Sequence, residues 1–226
     1  MPDNKYALIV AGGKGSRMDS QIPKQFMSLA GKPVLMRAIE AFYRFSPGMR
    51  IIVALPQAHF TFWNELCDRH GFDIPIQTVA GGATRFRSVK NALSQIDDDE
   101  GLVAVHDGVR PLISSELIAA SFNIAAIHGS AVAAVRLKES IRIVDKDATR
   151  AVERSKYRLI QTPQTFRVSI LKKAYEMEED EGTTDDAGLV ERIGVRISLF
   201  EGSYMNIKIT TREDLIIAEQ FLKFME

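Results

Sequence analysis

Tyr6-Ala7-Leu8-Ile9-Val10 runs directly into Ala11-Gly12-Gly13-Lys14-Gly15-Ser16-Arg17-Met18. The first five residues are apolar without alternation, the pattern of a strand covered on both faces. The glycines that follow let backbone N–H groups approach a bound anion. A buried strand opening into such a loop predicts an open α/β sheet with its ligand at the carboxyl ends of the strands. Two familiar phosphate-binding templates do not match: the loop lacks P-loop spacing, and Met18 stands where a dinucleotide fingerprint needs its third glycine. Lys14 and Arg17, followed by Pro23-Lys24-Gln25-Phe26, make the loop cationic and suit it to a triphosphate.

The same alternation continues outward. Arg50–Leu55, Ile76–Val79, Leu102–His106 and Ala131–Val135 read as further strands, and Val34–Phe45, Gln57–His70, Ser88–Gln95 and Ser114–Ile127 as helices between them. This order predicts a mostly parallel sheet with helices on both faces. Pro33 suits a first helical turn, Thr184 a cap for Asp185–Ile193 with Gly194 as its stop, and Thr211 with Asp214 a near capping box. Ile141–Val144 and Tyr157–Gln161, around Asp145-Lys146-Asp147, break the alternation and predict a protruding, charged hairpin. The expected architecture is one Rossmann-like three-layer α/β domain over 1–226, with 137–161 as a β-arm.

Composition narrows the function. With 29 basic and 29 acidic side chains in 226 residues the net charge is zero, which lacks the basic excess of a duplex nucleic-acid binder. No apolar run reaches membrane-spanning length, and the N-terminus has neither a basic n-region nor a cleavage site, so a cytoplasmic protein is expected. The lone cysteine, Cys67, has no intrachain disulfide partner and reads as a small helix residue facing the core.

Three further segments carry chemistry. Val79-Ala80-Gly81-Gly82-Ala83-Thr84-Arg85-Phe86-Arg87-Ser88 repeats the strand–glycine–helix pattern, and Ser88 is placed either to cap the helix or to contact a base or ribose. His106-Asp107-Gly108-Val109-Arg110-Pro111 puts a carboxylate just past a buried strand, where it could face Mg²⁺, and a guanidinium that could fork onto a phosphate. His106 reads as a packed or orienting residue. Finally, Gln161-Thr162-Pro163-Gln164, Thr183-Thr184-Asp185-Asp186-Ala187 and Asn206-Ile207-Lys208 offer hydroxyls, a helix N-terminus and a lysine.

In order over nearly the whole chain, these segments resemble the 2-C-methyl-D-erythritol 4-phosphate cytidylyltransferases, CTP-using enzymes of non-mevalonate isoprenoid synthesis. The resemblance implies that CTP and a polyol phosphate are joined with release of pyrophosphate, with Mg²⁺ as the cofactor. Ala11, Gly12 and Gly13 would cradle the nucleotide, and Gly82 and Ser88 would recognise cytosine and ribose. Arg17 and Lys24 would neutralise the triphosphate, and Asp107 would face the metal. Gly108, Arg110, Ser140, Thr162 and Thr184 would line the acceptor pocket, with Arg154 and Lys208 holding the acceptor phosphate. The family pattern also implies a homodimer in which the arm carries Arg154 to the neighbour's site. This chain has Asp107-Gly108-Val109-Arg110 where many relatives have Asp-Ala-Ala-Arg, and Glu139-Ser140 where they often have Asp-Thr. Ribitol 5-phosphate cytidylyltransferase shares the glycine loop, Pro-Lys-Gln-Phe and Thr-Pro-Gln and is the alternative.

Overall fold

The structure, a computed structural model, describes residues 4–13, 22–146, 148–180 and 182–224. Its central sheet is ordered β11 (Leu199–Glu201), β7 (Ser130–Arg136), β10 (Arg158–Arg167), β6 (Leu102–Asp107), β1 (Lys5–Val10), β4 (Arg50–Leu55) and β5 (Ile76–Ala80). β1 pairs in parallel with β4 and β6, and β4 with β5, while β10 runs antiparallel to both of its neighbours. A short antiparallel pair, β2 (Ser28–Leu29) and β3 (Lys32–Pro33), precedes the first helix.

Helices cover both faces, as the continuous apolar strands require. Along β1, Ala7 and Ile9 point to one face and Tyr6 and Leu8 to the other, and all four are buried. On the first face lie α1 (Val34–Phe45), α2 (Phe60–His70) and α4 (Ser115–His128), contributing Phe42, Trp63 and Phe122. On the second lie α3 (Arg85–Leu93), α5 (Val168–Tyr175) and α6 (Asp186–Arg192), contributing Leu93, Leu171 and Leu189. A smaller cluster seats the last helix, α7 (Arg212–Leu222), through Ala218 and Leu222 against Leu29, Val34 and Val109. Covering both faces is what keeps polar positions out of Tyr6–Val10 in β1 and Ile51–Leu55 in β4.

Local signals place most boundaries. Ser114 caps α4 and Gly129 ends it at φ 80°. Gly71, at φ 56°, ends α2 in the left-handed conformation that glycine adopts without a Cβ penalty. Thr211 and Asp214 form a full capping box on α7. Cys67 is half-buried and its thiol is pushed up to about 11, mainly by burial, which leaves it protonated and inert.

Four local expectations are corrected. Thr84, not Ser88, caps α3, and the helix starts three residues earlier at Arg85; the Thr84 hydroxyl accepts from Arg87 N. Asp185, not Thr184, caps α6, accepting from Gly188 N. Pro33 sits at the N-cap position of α1 rather than inside its first turn. The hairpin pairs β8 (Arg142–Asp145) with β9 (Ala148–Ala151), not with Tyr157–Gln161. Lys146 has φ 48°, so the chain reverses at once and the next residues complete the pairing. Tyr157–Gln161 is strand from Arg158 on, as expected, but it forms the start of β10 and pairs with β7; the stretch from Gln161 to Phe166 is buried within the sheet. Asp147, in the expected turn, lies outside the described residues. Both hairpin strands are exposed along their length, as a protruding arm requires. No helix among the described residues is long and apolar enough to cross a membrane.

Candidate active site

The carboxyl ends of the parallel strands meet at one edge. Val10 pairs with Asp107 on one side and Ala54 on the other, so the glycine loop and the acidic loop start side by side. The ladder continues past the strands: Ala11 N donates to Ala54 O, Gly81 N to Leu55 O, and Gly108 N to Val10 O. Backbone hydrogen bonds thus hold the starts of three loops in register.

Two cavities open at this edge. The smaller, about 190 Å³, is lined by Ala11, Gly12, Gly13, Lys24, Gly82 and Ser88 among others. The larger, about 550 Å³, is lined by Arg110, Gln161, Thr162, Thr184, Asp185 and Glu191 among others. Arg85, Asp107 and Lys208 line both and form the wall between them.

The smaller cavity is built from glycines and one buried lysine. A Cβ on Gly82 would lie 2.2 Å from Cβ of Arg87, so this position takes glycine for closeness alone. Gly82 N donates to Ser88 Oγ at 3.1 Å, and Ser88 Oγ donates to Thr84 O at 2.8 Å. Ser88 therefore sits inside α3 with its hydroxyl turned back onto the glycine turn. Lys24 is buried in a short 3-10 turn, Lys24–Phe26, which Phe26 anchors among Phe62 and Trp63. Gln25 in the same turn donates from Nε2 to Ala11 O at 2.8 Å and fixes the glycine loop against it.

Asp107 is the electrostatic centre. Its Oδ2 lies 3.0 Å from Lys208 Nζ and 3.3 Å from Arg110 Nε, and its Oδ1 lies 4.0 Å from Arg85 Nε. Burial alone would raise its pKa, but Lys208, Arg85 and Arg110 outweigh it and hold the carboxyl well below the usual carboxylate range. Lys208 reaches this place because Ile209 N donates to Val109 O, tying the C-terminal segment to the acidic loop. Arg110 is pinned in turn by donating from Nη1 to Asn206 O at 2.8 Å.

Behind the wall a buried relay sets one histidine tautomer. His106 Nε2 lies 3.0 Å from Arg110 O, which can only accept, so that nitrogen carries the proton. Nδ1 is then an acceptor, and the Thr162 hydroxyl donates to it at 3.1 Å while accepting from Asp107 N at 3.0 Å. Burial pushes His106 down to about 4, so it stays neutral near pH 7. With both ring nitrogens engaged, His106 orients its neighbours and is no base, as its sequence context suggested.

The larger cavity is bounded by α6. Gln164 donates from Nε2 to Asp185 Oδ2 and accepts from Ala187 N, both at 2.8 Å, so β10 holds the helix N-terminus in place. Arg85 grips Asp186 with both terminal nitrogens, at 3.0 and 2.5 Å, and Tyr175 OH donates to the same carboxylate at 2.5 Å.

The expected residues divide clearly. Ala11, Gly12, Gly13, Gly82, Ser88 and Lys24 share the smaller cavity, Arg110, Thr162 and Thr184 the larger, and Asp107 and Lys208 the wall. Arg17 lies outside the described residues. Gly108 lines neither cavity; a Cβ there would lie 2.8 Å from Leu35 Cδ1, so it serves packing. Ser140 and Arg154 also line neither cavity in this single chain; both are exposed, and Arg154 donates from Nη1 to Lys138 O. Sequence reading gave no role to Arg85, Gln164 or Asn206. Arg85 had a visible signal, a cation opening the helix after the glycines, but its partner Asp186 lies 101 positions away.

Among the described residues no three His, Cys, Asp or Glu side chains converge on a common point. Asp107 is the lone carboxylate of the shared wall, and its Oδ2 already faces two cations. It does not fit a resident divalent ion; an ion carried on substrate phosphates needs no such cage.

An open α/β sheet whose switch edge joins a glycine-lined, cationic cavity to a second polar cavity defines a nucleotidyltransferase class of site. The sequence profile of IspD, 2-C-methyl-D-erythritol 4-phosphate cytidylyltransferase, matches residues 6–224. The enzyme of that name from Bacteroides fragilis is 49% identical over 218 residues, spanning 96% of this chain and 99% of the relative. Its counterpart from Caldanaerobacter subterraneus is 39% identical over 225 residues, 97% of this chain and 99% of the relative. Among solved structures, the Francisella tularensis enzyme aligns with TM-score 0.79 at 33% identity, covering 96% of this chain and 99% of that one. The 4-diphosphocytidyl-2C-methyl-D-erythritol synthase from Anaerococcus prevotii aligns with TM-score 0.82 at 29% identity over 97% and 96%. The chain belongs to the 2-C-methyl-D-erythritol 4-phosphate cytidylyltransferase family.

Proposed function

We infer that this chain transfers the cytidylyl group of CTP to 2-C-methyl-D-erythritol 4-phosphate, giving 4-diphosphocytidyl-2-C-methyl-D-erythritol and pyrophosphate. The observation that carries this reading is the shared wall of Arg85, Asp107 and Lys208 between the two cavities. A nucleotide in the smaller cavity and a phosphate in the larger would meet there. An oxygen of the acceptor phosphate attacks the α-phosphorus of CTP, a new P–O bond forms, and the bond to the bridging oxygen of the β-phosphate breaks as pyrophosphate leaves.

The acceptor phosphate is already ionised near pH 7, so no general base is required. The obstacle is repulsion between two anions, and fixed positive charge removes it. Lys24 faces the leaving pyrophosphate from the glycine side, with Arg17 as a further candidate. Lys208 sits at the wall, where acceptor and α-phosphate meet. Asp107 holds Lys208 at 3.0 Å and so aims it. Losing one such cation should raise the barrier by about 2.7–4 kcal/mol. Mg²⁺ would arrive on the triphosphate and screen its charge.

The finer assignments are ours as well. The exposed hairpin and the exposed apolar side chains of Tyr157 and Leu159 beside it support a homodimer in which Arg154 serves the neighbouring site. A cytoplasmic setting suits a reaction that consumes CTP. Phosphorus NMR of the purified chain with CTP, Mg²⁺ and the acceptor tests the reaction. A new pair of coupled diphosphate signals together with pyrophosphate is expected; unchanged CTP after prolonged incubation would refute it.

A further inference from the structure

The ion pair between Arg85, on the shared wall, and the buried Asp186 behind it has no assigned part in the transfer reaction. Arg85 is the first residue of α3, directly after its cap Thr84 and the Gly82 turn of the nucleotide side. Asp186 is the first residue of α6, directly after Asp185 and Thr184 of the acceptor side. Asp186 is fully buried, and its carboxylate accepts Arg85 Nη1 and Tyr175 OH on one oxygen and Arg85 Nη2 on the other. Phe86, next in α3, packs against the Tyr175 ring with centroids 4.8 Å apart.

These contacts settle what Arg85 can do. Although Arg85 lines both cavities, both of its terminal nitrogens are engaged by Asp186, so the fork is occupied by a carboxylate rather than held open for a phosphate. Its remaining edge, Nε, faces Asp107 Oδ1 at 4.0 Å. The guanidinium therefore stands between α6 and the carboxylate that holds Lys208. A lysine at this position could keep the charge, but its single ammonium cannot reproduce a planar fork.

We propose that Arg85 is a positioning residue of the transfer reaction: braced on Asp186, it fixes the spacing of the nucleotide and acceptor cavities and holds Asp107, and through it Lys208, at their boundary. Misplacement of a reacting group by about 1 Å costs on the order of 10²-fold in rate without requiring loss of substrate affinity. The inference rests on the proposed cytidylyl transfer.

The test is steady-state kinetics of Arg85→Lys, Asp186→Asn and the double variant, beside the wild type, with CTP affinity from calorimetry and melting followed by circular dichroism. We expect kcat to fall by about 10–100-fold in each single variant. The double variant should fall no further than the worse single one, because the two residues act as a unit. CTP affinity should hold within about 3-fold, since the terminal nitrogens of Arg85 already bond Asp186 and the Gly82 and Ser88 contacts stay in place. Wild-type kcat in either single variant would overturn the proposal. So would additive losses, a defect confined to CTP affinity, or unfolding of both single variants at the assay temperature, which would make the pair structural only. A wild type that releases no pyrophosphate would instead refute the transfer reading itself.

Discussion

Lys208 Nζ lies 3.0 Å from Oδ2 of Asp107, on the wall shared by both cavities. The two residues are 101 positions apart, and the contact depends on the hydrogen bond from Ile209 N to Val109 O. It places a cation on the boundary of the two cavities, with its direction set by a carboxylate that stays ionised. Asp107 acts in this arrangement as the holder of a lysine.

The consequence for Lys208 is direct. Lys208→Ala should lower kcat by about 10²–10³-fold, the usual effect of losing one transition-state donor. Its side chain is 42% exposed, and Arg110 and Arg85 still face Asp107, so the melting midpoint should move little. Lys24→Ala should show a comparable kinetic loss. Turnover near wild type in both would refute the assigned roles.

Gly82 should resist even the smallest side chain. A Cβ there would meet Arg87 Cβ at 2.2 Å and press into the backbone of the same residue. Gly82→Ala must displace the turn that lines the nucleotide cavity, and overpacking of this kind costs about 1–3 kcal/mol. The KM for CTP should rise by about 10-fold, the equivalent of 1.4 kcal/mol in binding. Titration calorimetry with CTP reads the change directly, and unaltered affinity would contradict the packing account.

His106 should make the protein sensitive to mild acid. Burial lowers its pKa from 6.5 in an unfolded chain to about 4. Above pH 6.5 the ring is neutral in both states and its titration costs nothing. As pH falls from 6.5 towards 4, the unfolded chain takes up a proton that the folded one refuses, so stability falls. The full loss is on the order of 3 kcal/mol. Urea unfolding at pH 7.0 and 4.5 should show this decline in the wild type and a smaller one in His106→Gln. Equal declines in the two proteins would contradict it.

The arm makes a prediction about assembly. In the single chain Arg154 lines neither cavity, whereas Lys24 lines the smaller one. If Arg154 serves a neighbour, a mixture of Arg154→Ala and Lys24→Ala chains forms some dimers with one intact site. Activity should recover partly on mixing, towards about one quarter of wild type for random exchange between two-fold dimers. No recovery under conditions that exchange subunits would rule out a crossed arm.

The sheet was legible because its information is local. Tyr6–Val10, Ile51–Leu55 and Leu102–Val105 are unbroken apolar runs within the expected strands, and the structure places them side by side. The glycine turns were legible for the same reason: they follow strands directly. The hairpin was misassigned because two strand-like stretches near one turn leave the pairing open, and the backbone at Lys146 decides it. Gln161–Phe166 carries polar residues, yet it is buried in the sheet because Thr162 and Gln164 find partners in His106, Asp107 and α6. Arg85 and Asp186 were invisible as a pair, since no local pattern links residues that only the packing of α3 and α6 against α5 brings together.

The most direct test of the central claim is pyrophosphate release with CTP and Mg²⁺, run in parallel with 2-C-methyl-D-erythritol 4-phosphate and with ribitol 5-phosphate. The account predicts rapid release with the first acceptor and little with the second. Equal or faster release with ribitol 5-phosphate, or silence with both, would contradict it.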